Sequence, residues 1–232
     1  MDTSSFLDAV KKTQTIDLAA NTINIISADF ESKYTIDDHV TQQSRHHVIE
    51  SFYTDPKLFD RTGKFPVCIQ KLFPKMLNWR YVQADYYIWI NPEYKIIAPN
   101  AIEWLVQHLN SSNRSYAFFR DNTRTISEEV ERIRELGETS EFDIIEVNKH
   151  IARITRDYEY TGKMSLFDPS IFIYKSDAVR FDLNFMESWF HNTITGCMHE
   201  KISLVHTMVM FNPLFTSIEV NDDQKFKFFE KR

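Results

Sequence analysis

The sequence predicts an α/β fold, a three-layer sandwich built on a central, mostly parallel sheet. Three observations carry that expectation. Apolar patterns of strand period alternate with patterns of helix period from residue 22 to residue 212. The 232 residues suffice for one large domain with an ample core, read as a single unit over 1–232 with 1–20 and 222–232 peripheral. Most informative, Ala84–Ile97 reads ADYYIWINPEYKII, a run of β-formers that passes straight into a polar turn at Asn91-Pro92-Glu93. Such a strand belongs in the middle of a sheet, and open α/β sheets bind ligands at the C-terminal ends of their strands.

Taken in order, residues 1–20 carry at most a short amphipathic helix, with Phe6, Leu7 and Val10 against Asp8, Lys11 and Lys12. Thr22–Asp29 reads as the first true strand, ending in small and polar residues. From Asp37 to Phe52 the spacing of Val40, Val48, Ile49 and Phe52 predicts a helix capped by Asp37 or Asp38. Val67–Leu77 predicts a helix with Lys71 and Lys75 one turn apart, kinked or ended early by Pro74. Ile102–Leu109 is an amphipathic helix, and Ser115–Phe119 a strand running into Arg120-Asp121-Asn122-Thr123-Arg124. Thr125 and Glu128 form a capping box for a helix to about Leu136. Asp143–Val147 fits a short strand or the start of a helix equally well. Ser170–Tyr174 is a late strand, Phe181–Thr193 and His199–Phe211 are helices, and Asp222–Arg232 reads as a tail or an edge.

Composition excludes several functions. Four glycines, Gly63, Gly137, Gly162 and Gly196, cannot build a Gly-x-Gly-x-x-Gly or Walker phosphate cradle. A diphosphate must then be held by side chains, a metal or helix N-termini. A net charge of −6 argues against a whole-surface polyanion binder, while leaving room for a local basic groove. Cys68 and Cys197 lack metal-ligand spacing and are expected to be buried thiols, and His46, His47 and His191 lack a second ligand at helical spacing. Trp79, Trp89, Trp104 and Trp189 are expected in the core. There is no secretory signal and no 18-residue apolar run, so a cytoplasmic, reduced protein without a membrane partner is expected.

The strand ending in Asn91-Pro92-Glu93 resembles the strand of GT-A-fold nucleotide-sugar glycosyltransferases, which ends in an acidic Asp-x-Asp turn. The order of other features is also similar: Lys71 and Lys75 before that strand, then Arg120 and Arg124, Glu128 and Glu129, Gly162 and Leu166, and finally His199-Glu200-Lys201. The resemblance implies a Rossmann-like GT-A sandwich that moves a sugar from a nucleotide-sugar donor, UDP-linked in the commonest case, to a hydroxyl acceptor. It also implies a divalent cation, Mn²⁺ or Mg²⁺; here the first acid of the turn is replaced by Asn91, which puts the metal in question. Membrane anchors are usual in the animal and plant enzymes of this class, so their lack here points to a bacterial or viral source, or to a catalytic domain apart from its anchor.

Residue chemistry assigns roles within that frame. Glu93 supplies a carboxylate for the metal and Asn91 a neutral oxygen or amide for the sugar. Lys71, Arg120 and Arg124 suit the charge that develops on a leaving diphosphate. Asp29, at the end of the first strand, is placed for the base or ribose. Glu200 is the candidate general base at the acceptor hydroxyl, and His199 a metal or phosphate ligand.

The acceptor is a glycan or modified DNA. Phage-type glycosylation of hydroxymethylated pyrimidines is one such case, with Arg153, Arg156, Lys163, Lys175 and Arg180 on phosphates. The alternative is a noncatalytic binding or assembly module that kept the sheet and lost the metal turn. A nuclease or phosphotransferase is disfavoured, since no Asp-x-Asp or His-x-His pair is present.

Overall fold

The computed structural model describes residues 21–34, 39–59, 65–136, 141–158, 165–177, 185–197, 199–211, 215–218 and 222–232. Six strands make the main sheet: β1 (Thr22–Ala28), β2 (His47–Tyr53), β3 (Tyr86–Ile90), β5 (Tyr116–Thr125), β6 (Ser165–Lys175) and β7 (Phe215–Ile218). Their order is β2-β1-β3-β6-β5-β7. Only β6 runs antiparallel to the others, which gives the mostly parallel sheet that the sequence led us to expect. A second, two-stranded sheet pairs β4 (Tyr94–Ile96) with β8 (Phe229–Lys231).

Strand alternation sends side chains to two separate cores, as the period of two requires. Ile26, Tyr87, Trp89, Phe118, Phe172 and Tyr174 face one side. That side is covered by α2 (Leu72–Leu77), α4 (Ile126–Leu136), α5 (Glu141–Tyr158), α6 (Phe185–Asn192) and α7 (Glu200–Met210). Ile23, Ile25, Ile88, Ile90, Ile171 and Ile173 face the other, under α3 (Ala101–Ser111) and the β4–β8 pair. Sheet and two coverings are the three layers, and β3, buried at all five positions, runs through their middle.

Several local expectations hold for the reasons given. Thr125 and Glu128 close the capping box: Thr125 N–H donates to Glu128 Oε2 at 2.6 Å and Glu128 N–H to Thr125 Oγ1 at 3.4 Å. Trp89 and Trp189 are fully buried, while Trp79 and Trp104 are partly buried against the two cores.

Others are corrected. The helix expected over Asp37–Phe52 is instead strand β2 at His47–Tyr53, with 35–38 outside the described residues. Its β-branched Val48 and Ile49 and aromatic Phe52 and Tyr53 suit a half-buried edge, and seven register pairs with β1 settle its state. Of the two states that fit Asp143–Val147, the helical one is found: the segment belongs to the 18-residue helix α5, whose Ile144, Val147 and Ile151 meet the core at i, i+3 and i+7. Cys68 is exposed rather than buried.

Around Lys71 the predicted helix breaks into α1 (Val67–Gln70) and α2, with the break before Pro74 rather than at it. Proline lacks the N–H that would reach back to Gln70, so the chain restarts and Pro74 falls in the first turn of α2, where no donor is missed. The C-terminal segment is not peripheral. It forms α8 (Asp222–Phe228) and β8, and it buries Phe229 completely and Lys225 to 7 % exposure. A tail of alternating charge and Phe has no core of its own, but the open face beside β4 supplies one. The peripheral helix expected in 1–20 lies outside the described residues.

Two predictions follow from this packing. Deleting residues 222–232 uncovers the Phe229 site and leaves Asp168 without Lys225; by urea titration it should cost about 3 kcal/mol or more. On the opposite side, His150 of α5 meets His206 of α7 ring to ring, and burial, then the nearby His206 and Arg153, hold His150 at about 4. A histidine that resists protonation only when folded stabilises the protein above its unfolded value of about 6.5 and ceases to do so toward pH 4. Stability should therefore fall by about 2 kcal/mol between pH 7 and pH 5, and His150→Phe should flatten that segment of the pH profile.

Candidate functional site

Strands β1 and β3 are neighbours and parallel, so their C-terminal ends emerge side by side, β1 into Asp29 and β3 into Asn91. The loop after β1 is shaped by the Asp29 carboxylate. It accepts from the backbone N–H of Glu31 at 3.2 Å and of Tyr34 at 2.7 Å. This turn carries Ser32 at φ 53°, a left-handed conformation that costs a non-glycine residue energy and that such a tether sustains. After β3, Asn91 N–H donates to Ser170 O at 2.8 Å, and Asn91 Nδ2 donates to Glu93 Oε1 at 3.2 Å, fixing the turn against β6.

Between these two turns lies a cleft of about 230 Å³ lined by Asp29, Phe30, Lys33, Tyr34, Lys71, Asn91 and Glu93, among others. Four of the residues singled out in the sequence thus share one cavity: Asp29, Lys71, Asn91 and Glu93. Glu200, the first residue of α7, joins them through Lys71, whose Nζ is 3.9 Å from Glu200 Oε1. His199 precedes Glu200 at the helix cap and adds to the positive field on it.

Arg120 and Arg124 do not line this cleft. Arg124 pairs with Glu129 of α4 at 3.0 Å, and Glu129, 1 % exposed, also takes Arg132 at 2.9 Å, so this arginine anchors the β5–α4 junction. Arg120 is an exposed residue of β5 in register with Phe167.

Behind the cleft stands a layer of buried charge that sequence spacing did not single out as a unit. Lys75 Nζ donates to Glu200 Oε2 and lies 5.5 Å from the Trp89 ring and 5.8 Å from that of Trp189. Lys225 Nζ donates to Asp168 and lies 4.5 Å from the Tyr94 ring. Lys201 Nζ donates to Asp121 Oδ2 at 2.9 Å. Burial drives the Lys75 ammonium below its ordinary value against the pull of Glu200. For Glu200 burial acts upward, but Lys75, Lys71 and His199 outweigh it and keep the carboxylate below its usual range. Asp168 behaves alike under Lys225, and Asp121 sits at about 2, burial being overcome by Thr123 and Lys201. The available signal for these partners was the spacing of Lys71 and Lys75 on one helix; Asp168 and Lys225 gave none, since only folding joins β6 to α8.

A divalent cation held by protein side chains alone takes several oxygens converging on one point. Among the described residues no group of three His, Cys, Asp or Glu side chains meets that condition. Glu93 accepts from Asn91 and faces Lys231 at 3.7 Å, and Asp29 is engaged by backbone N–H groups. The donor set present at this edge therefore does not fit a metal held by side chains alone, and the cationic charge beside it belongs to lysines.

Comparison by sequence finds no matching family model and no matching curated protein. Comparison of structures finds mouse xyloside xylosyltransferase 1 in its apo form, 9 % identical, with a TM-score of 0.50 over 86 % of this chain and 84 % of that one. Also found are a glycosyltransferase involved in glycosylation of the major capsid of PBCV-1 and a CMP:2-keto-3-deoxy-manno-octonic acid synthetase complexed with CTP. The first of these two is 8 % identical, with a TM-score of 0.39 over 85 % of this chain and 81 % of that one. The synthetase is 12 % identical, with a TM-score of 0.38 over 87 % and 90 %. The likeness to the xylosyltransferase establishes the fold: a GT-A-like α/β sandwich, as the turn after β3 implied.

The buried pair makes a prediction about stability. Lys75→Met leaves the Glu200 carboxylate with only the half-exposed Lys71 and should cost about 3 kcal/mol in urea unfolding. Lys75→Met with Glu200→Leu removes both charges and should recover most of that loss, because the cost lies in the orphaned charge rather than in the missing contact.

Proposed function

We propose that the protein is a glycosyltransferase that uses a nucleotide-sugar donor and a hydroxyl acceptor, with the donor's diphosphate in the cleft between the β1 and β3 turns. One observation supports this above the rest. Asp29, Lys71, Asn91 and Glu93, distant in sequence, line one cavity at the C-terminal edge of parallel strands, the edge where open α/β sheets take ligands. Tyr34 offers a ring to a base beside Asp29, and Asn91 an amide to the sugar.

In the transfer, the acceptor hydroxyl oxygen bonds to the anomeric carbon, and the bond from that carbon to the diphosphate oxygen breaks with its electron pair on the leaving group. Lys71 stands where the growing charge on that oxygen is stabilised. The hydroxyl proton passes to a carboxylate. Glu200 is our candidate, being ionised, although its lysine partners make it a weak base.

For the acceptor we keep both a glycan hydroxyl and a hydroxymethylated pyrimidine in DNA. In the second case Arg153 and Arg156, exposed one turn apart on α5, suit phosphate contacts, whereas Lys163 and Arg180 lie outside the described residues. No described helix is long and apolar enough to cross a membrane.

A thermal-shift series with UDP-, GDP-, ADP- and CMP-sugars tests the reading. One donor at a hundredfold excess over its Kd should raise the melting midpoint by about 5 to 10 °C, since a ligand that binds only the native state stabilises it by about 2.7 kcal/mol. Donor breakdown in the presence of glycan or hydroxymethylated DNA then identifies the acceptor. A flat response to every donor would overturn the reading in favour of a noncatalytic module.

A further inference from the structure

We infer that the cleft holds the diphosphate through lysine ammonium groups, with Lys71 as the contacting cation and Lys75 behind it, and that binding needs no divalent metal ion. The inference rests on the transferase reading above and goes beyond it in assigning the chemistry that neutralises the ligand. Three observations lead to it.

The carboxylates behind this edge are already paired. Asp168 is taken by Lys225, Glu200 by Lys75 and Lys71, and Asp121 by Lys201. Asp168 and Glu200 are partly buried, their lysine partners more deeply so, and stripping a lysine from either to admit a hydrated cation leaves a buried ammonium unpaired.

Next, the lysines are held rather than mobile. The Lys75 ammonium, 3 % exposed, is fixed by Glu200 and by two indole faces, and Lys225 by Asp168 and two ring faces. Fixed before the ligand arrives, this charge behind Lys71 adds no ordering cost when the ligand binds.

Finally, the charge does not cancel at Glu200. Glu200 faces two ammonium groups, and only Lys75 hydrogen-bonds it; Lys71, 45 % exposed, stands 3.9 Å off on the side that opens into the cleft. Its position at the break between α1 and α2, which Pro74 enforces, directs it there. A phosphate oxygen entering the cleft thus meets the Lys71 cation close to its place, while the three carboxylates that line the cavity are each engaged: Asp29 by the N–H groups of Glu31 and Tyr34, Glu31 by Lys33, and Glu93 by Asn91 and Lys231.

The experiment is calorimetric titration of the full chain with UDP, GDP, ADP and CDP, and with inorganic pyrophosphate. Each is run in EDTA and again with Mn²⁺. At least one probe should bind in EDTA with a Kd within about twofold of its value in Mn²⁺. Lys71→Met should weaken that binding about tenfold or more while leaving the unfolding midpoint unchanged, as the side chain is half exposed; Lys71→Arg should restore most of it. Binding of a probe in Mn²⁺ but not in EDTA overturns this inference and leaves the transferase reading standing. Equal binding by the Lys71→Met variant also overturns it, since the ligand is then elsewhere. No binding of any probe under either condition defeats both.

Discussion

The ion pair between Lys75 and Glu200 is the contact on which the edge beside the cleft depends. It joins α2, which precedes the central strand, to α7, which follows β6 by some distance in sequence, and it does so beneath the indoles of Trp89 and Trp189. Neither charge is tolerable there alone. Burial acts against both, and each is retained because the other is present. Everything nearer the surface inherits its position from this pair: Lys71 is a turn away from Lys75 on the same chain segment, and His199 is the residue before Glu200.

The pattern repeats across the edge with different partners. Lys225 and Asp168 tie the C-terminal helix to β6, and Lys201 and Asp121 tie α7 to the end of β5. At a sheet edge of this kind, fixed charges of both signs do two jobs at once. They hold separate chain segments in register, and they present a preorganised field to a charged ligand, which is worth more than the same charges free in water. A buried pair is weak evidence of net stabilisation, because an apolar substitute of equal volume packs as well. The accumulation of such pairs near one edge is therefore consistent with a charged ligand there.

How legible this was depended on the distance between the residues concerned. The central strand, its polar turn, the capping box at Thr125 and Glu128, and the amphipathic helix at Ala101–Ser111 were readable because each is decided within a few residues. The edge strand β2 was not. Its apolar spacing fitted a helix, and the hydrogen bonds that make it a strand come from β1. The site divided in the same way. Asp29, Asn91 and Glu93 could be placed because strand ends define them, and Lys71 because of its helix. Arg120 and Arg124 stood at a strand end too, yet Glu129 captures Arg124 within the same junction, a local pairing that charge alone did not reveal. The C-terminal residues 222–232 were taken for an edge or tail, and they proved to carry both a core aromatic and a buried lysine.

By itself, then, the sequence determined the layer order, the strand that divides the molecule and the turn that emerges from it, since hydrophobic period and local turn chemistry act over short spans. Only the tertiary structure decided which charges meet. Lys75 with Glu200 is a contact across 125 positions and Lys225 with Asp168 one across 57. Partner choice at that range follows from which segments the two apolar faces bring together, and a charged residue in a sequence carries no mark of the one it will be buried beside.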